Sequence, residues 1–112
     1  MILFQKQAKE YNMRYLLQVD FPHNGPFGDA LSAAMSDLAK DIANEKGLIS
    51  KLWTENETDK EAGGIYLFDN AEDAERYLKK HTERLEAFGY SNIRGKIFTV
   101  NEALSALSIP AK

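Results

Sequence analysis

The segment Glu61-Ala62-Gly63-Gly64-Ile65-Tyr66-Leu67-Phe68 sets two adjacent glycines before four apolar residues. A strand with no polar face must be covered on both sides. Glycines bare the backbone where another group has to come close. The segment therefore predicts a buried central strand, a second covering layer, and space for a ligand beside it.

The rest of the chain supplies the covering elements. Met13 to Phe21 reads as a first strand: its odd positions form one apolar face, and Leu16 adds apolar area to the other. Pro22 to Gly28 is a loop rich in proline and glycine. Asp29 to Asn44 has Leu31, Met35, Leu38 and Ile42 at helical spacing, which predicts one buried stripe. Asp29 suits the start of that helix and Gly47 its stop. Leu48 to Glu55 alternates as a strand, Glu57 to Glu61 is a charged turn, and Gly64 to Phe68 is the third strand. Asp69-Asn70 opens a second helix, with Asp69 and Glu72 spaced as a capping box. Its inward stripe is Ala74, Leu78, His81, Leu85 and Phe88, with Tyr77 beside it, and Gly89 ends it. Ile93 to Val100 is the last strand.

The order is βαββαβ, which predicts an α+β, ferredoxin-like domain with a four-stranded antiparallel sheet whose first and third strands are central. Residues 1–12 read as an N-terminal extension, 13–101 as the domain, and 102–112 as a tail whose Leu104, Leu107 and Ile109 need something to pack on. Two helices cover only one face of such a sheet. The apolar residues of the other face predict a homodimer with sheets packed face to face, a dimeric α+β barrel.

Length and charge narrow the functions. A chain of 112 residues is one domain, and its net charge of −3 gives no basic footprint for nucleic acid and no polybasic membrane patch. There is no cysteine, so thiolate metal sites and cysteine nucleophiles are excluded. With only His23 and His81, a histidine-rich metal site is not expected. No apolar run reaches membrane-spanning length and the N-terminus lacks a signal-peptide pattern, so the expected compartment is the cytoplasm.

Asn24-Gly25-Pro26-Phe27-Gly28-Asp29-Ala30, Trp53-Thr54-Glu55, Glu61 to Phe68, Lys80-His81-Thr82, Arg84-Leu85 and Val100-Asn101-Glu102 occur in order along the chain. Together they resemble the YdhR family, small dimeric α+β barrel proteins grouped with the monooxygenases. The resemblance implies the fold and the dimer. Through quinone-forming relatives in the wider superfamily, it also implies oxygenation of a phenolic substrate by way of its carbanion, without a metal or flavin.

The residues that would carry such chemistry are few. Trp53, on the second strand, could stack on a flat ligand, or pack in the core or dimer interface. Tyr66 and Phe68 share a strand face with Gly64 and would complete an aromatic slot, or pack the sheet. His81 is the expected base, or else a satisfied core histidine. Arg84, one turn on, would stabilise the anion that forms, or sit in solvent. The Asn24 to Gly28 loop would hold Phe27 over the rim. Glu55 could act as a base only if buried, and His23 could lie at the surface or at the mouth. The expected function is a cofactor-independent monooxygenase acting on a flat aromatic or phenolic molecule. The alternatives are a non-catalytic small-molecule-binding dimer and a purely structural dimer.

Overall fold

The computed structural model describes residues 13–111; the expected extension over residues 1–12 lies outside them. Strands β1 (Tyr15–Pro22), β2 (Leu48–Asn56), β3 (Glu61–Phe68) and β4 (Arg94–Thr99) form one antiparallel sheet in the order β2-β3-β1-β4. Helix α1 (Gly28–Ile42) joins β1 to β2, α2 (Ala71–Ala87) joins β3 to β4, and a short α3 (Glu102–Leu107) follows β4. This is the βαββαβ order, with β1 and β3 central as the apolar pattern predicts. No described helix is long and apolar enough to cross a membrane.

Period-two burial explains the sheet's two faces. Leu17, Val19 and Phe21 of β1 and Ala62, Tyr66 and Phe68 of β3 are buried on the helix side, with Ala74, Tyr77 and Leu85 of α2 packed into the same core. On the opposite face Leu52 and Phe98 are 67% and 44% exposed.

Several boundaries differ from the sequence expectation. β3 begins at Glu61, not Gly64, because its ladder to β1 runs back to the Pro22–Glu61 pair. Asn70, not Asp69, caps α2, its side chain accepting the Asp73 amide at 2.8 Å. Tyr77, expected beside the inward stripe, lies at its centre and is 1% exposed, whereas Phe88 at its end is 55% exposed. The tail holds a helix: Asn101 caps α3 and the Glu102 carboxylate clasps Arg14, accepting from Nη2 at 2.9 Å and from the backbone amide at 3.1 Å. Leu104, Leu107 and Ile109 are exposed.

The departure that matters most for function concerns α1. Its stripe exists, but only Ile42 is fully buried; Leu31, Met35 and Leu38 are partly buried. The helix stands off the sheet, and the gap beneath it is a cavity.

Candidate functional site

The cavity lies between α1, the helix face of β2 and β3, and the C-terminal half of α2. It encloses about 300 Å³ and is lined chiefly by apolar and aromatic side chains, among them Leu31, Met35, Leu38, Trp53, Tyr66 and Leu85. Its polar side chains are Lys51, Thr54 and His81, with His23 and Tyr90 also in the wall. A largely apolar pocket with a few convergent polar groups is the usual form of a small-molecule site.

Lys51 reaches the cavity because of a β-bulge. Leu48 pairs with Phe68 and Ser50 with the next residue back, Leu67, so one extra residue, Ile49, is accommodated in β2. Beyond the bulge Lys51 stands opposite Tyr66, and Trp53 opposite Gly64, both on the helix face. The Lys51 Nζ sits 3.5 Å from the centre of the Trp53 ring and 4.6 Å from that of Tyr66. Gly64 makes this possible: a Cβ there would lie 2.7 Å from Lys51 Cε and 3.2 Å from Tyr66 Cε1. The space left by that glycine is thus filled by lysine, not left open for a ligand.

Burial, and secondarily the positive field of Arg84, push the Lys51 ammonium down to about 7. The amine can therefore exchange its proton near neutral pH. The ring faces of Trp53 and Tyr66 favour the cation but do not offset its desolvation.

His81 is buried on α2, its ring stacked 5.1 Å from that of Tyr77. Its Nδ1 accepts from Arg84, at 3.0 Å from Nη2 and 3.3 Å from Nε. A guanidinium can only donate, so the imidazole is the tautomer protonated on Nε2. Among the described residues no protein group accepts that Nε2 proton, which leaves it for the cavity. Burial, then the charges of Lys51 and Arg84, push the histidine down to about 3. It is therefore neutral at pH 7 and, at that pH, a weak proton acceptor but a competent hydrogen-bond donor.

Arg84 is not in the wall. It backs His81, donates to the Tyr77 hydroxyl at 3.3 Å, and approaches Asp41 at 3.8 Å. Burial and the neighbouring Tyr77 phenol push Tyr66 upward, so it is an undissociated phenol.

The remaining sequence candidates fall around this centre. Trp53, Tyr66 and His81 line the cavity together. Phe68 is fully buried below it, against Tyr77 at 5.7 Å between ring centres. Phe27 packs edge-on against His23 at 5.1 Å, behind the wall, and Asn24 is exposed outside it. His23 itself lines the cavity, with Nε2 2.7 Å from the Pro26 carbonyl and Nδ1 2.7 Å from the Tyr90 hydroxyl. Glu55 is exposed and accepts the Gly28 amide at 2.7 Å, so it caps α1 from the neighbouring strand.

Lys51 is the functional candidate that the sequence reading passes over. The available signal was its position two residues before Trp53, on the same strand face.

Among curated proteins none matches the chain. The family described as "Putative mono-oxygenase ydhR" matches residues 16–109, which takes in every strand and helix described above except the first residue of β1. With that match over most of its length, the chain belongs to the ydhR family.

Proposed function

We propose that the protein oxygenates a flat phenolic molecule in this cavity, with Lys51 as the base. The observation that carries this reading is a half-buried lysine, poised near neutrality, held against two aromatic faces in an apolar cavity. General bases work best when their pKa lies near the working pH. The family supports monooxygenation as the reaction type.

Trp53 and Tyr66 form one wall for a planar ring, and Leu31, Met35 and Leu38 the other. The Lys51 amine takes the phenolic proton, and the resulting ammonium holds the phenolate. His81 donates from Nε2 to an oxygen of the same substrate, with Arg84 fixing its tautomer. Charge delocalised from the phenolate gives a conjugated C–H carbon of the ring carbanion character. That carbon transfers an electron to dioxygen, the radical pair combines to a peroxide anion, and the Lys51 ammonium returns its proton to give the hydroperoxide. Loss of water then leaves a carbonyl: one oxygen atom enters the product, the other leaves in water, and the substrate supplies all the electrons. The expected base role thus moves from His81 to Lys51, because Arg84 occupies the Nδ1 lone pair and burial leaves the imidazole a weak proton acceptor.

The proposal includes a homodimer, supported by the apolar residues Leu16, Leu52, Ile65, Leu67 and Phe98 on the sheet face opposite the two long helices.

The test is oxygen uptake with product mass across hydroquinones, anthrones and simpler phenols, using metal-stripped, flavin-free protein and autoxidation controls. Uptake above the controls, with one added oxygen in the product and loss in Lys51→Met, supports the reading. Tight binding without uptake turns the assignment to a non-catalytic binding module using the same cavity.

A further inference from the structure

We infer that the Lys51 end of the cavity is an anion site, and that the flat ligand it takes carries one anionic group, an aromatic carboxylate or an acidic phenol. This rests on the cavity being the ligand site; it does not depend on oxygenation.

The charge inventory points this way. Among the described residues no aspartate or glutamate lines the cavity. Lys51 faces Trp53 on its own strand, Tyr66 on β3, and His81, backed by Arg84 and Tyr77, on α2. Helix α1 offers the apolar side chains Leu31, Met35 and Leu38. The nearby carboxylates are engaged elsewhere. Asp41 meets Arg84 from outside, at 3.8 Å and two-thirds exposed, Glu45 is paired with Lys80, and Glu55 caps Gly28. The inner end therefore presents the Lys51 amine and the His81 N–H donor, with the Arg84 guanidinium behind them, and no buried carboxylate faces it among the described residues. A buried cation is costly unless paired, so an anion placed there gains both the attraction and the relief of that cost. The opposite sign would be repelled by Lys51 and Arg84 together.

Linkage gives this inference a signature beyond affinity. An anion beside Lys51 raises its hold on a proton. Above pH 7 the unliganded amine is mostly neutral, so an anion that arrives already ionised must draw a proton from solvent as it binds. At pH 8 the uptake should approach one proton per site, and at pH 5.5, where Lys51 is already charged, it should vanish.

The experiment is calorimetric titration of the full chain with 1-naphthoate and with its neutral isostere 1-naphthamide, each in two buffers of different ionisation enthalpy. The expected result is a naphthoate preference of about tenfold or more, the scale of a charge-assisted contact, with proton uptake at pH 8 for the acid alone. Lys51→Met should abolish both preference and uptake while still binding the amide. Lys51→Arg, always charged, should keep the preference and lose the uptake. Equal affinity for acid and amide, or a preference that survives Lys51→Met, overturns the anion site and leaves the oxygenase reading standing. Failure of both probes to bind at millimolar concentration removes the cavity as an aromatic ligand site, and this inference with it.

Discussion

At the residue scale the site turns on how few atoms set the behaviour of Lys51. In the unfolded chain the amine holds its proton up to the ordinary value of 10.5, and in the fold only to about 7. The folded state thus binds fewer protons between those values, so its stability rises with pH across that window and carries the full penalty below it. Lys51→Met should therefore be more stable than the parent at pH 6 in urea melts, yet inactive, a stability–activity trade-off at one side chain. His81 has the same sign. Its folded value of about 3 lies below the ordinary 6.5, so the unfolded chain protonates first as pH falls, and stability is lost progressively from about pH 6.5 toward 3. His81→Gln should flatten that loss, read as the change in urea midpoint between pH 7 and pH 4. Gly64→Ala should push the Lys51 side chain off the Trp53 ring, since the added carbon would sit 2.7 Å from Cε. The emission of Trp53, the sole tryptophan, should shift, and turnover should fall at least tenfold by the proximity argument. Trp53, Tyr66 and His81 were legible in the sequence because aromatic residues and a histidine on inward faces mark a pocket. Lys51 was not, because a bulge at Ile49 decides which way it points, and lysine on an alternating strand ordinarily reads as solvated.

At the element scale the two helices do different work. Helix α2 is seated in the core through Ala74, Tyr77 and Leu85, whereas α1 keeps its apolar stripe half open to form the cavity roof. Hydrophobic spacing located both stripes but could not tell a packed stripe from one facing a cavity, since the periodicity is the same. One fastening of α1 is visible in the hydrogen bond from the Gly28 amide to Glu55 on β2. Glu55→Ala should cost about 0.5–1 kcal/mol, the lower range for a lost helix cap, and should weaken aromatic ligands by loosening the roof. Thermal melts and titrations of the variant check both effects. Strand order was legible because the two central strands are the ones with apolar residues on both faces. The α3 helix was not, because six residues carry too little periodicity and its Asn101 cap reads equally well as a turn.

At the scale of the whole molecule the homodimer proposal accounts for the sheet face opposite the two long helices. Leu52 and Phe98 lie on that face, 67% and 44% exposed, and Leu104, Leu107 and Ile109 add exposed apolar area on and just beyond α3. Light scattering at micromolar concentration should return twice the chain mass. Leu52→Lys with Phe98→Glu should return a monomer that retains its helical circular dichroism; a monomeric parent would refute the dimer.

The role of Lys51 as the base in this cavity is tested most directly by the pH dependence of substrate-driven oxygen uptake. The predicted profile rises through a single limb near pH 7 as the amine becomes neutral, is lost in Lys51→Met, and survives in His81→Gln at reduced height. A limb that persists without Lys51, or a rate flat from pH 5 to 9, would contradict it.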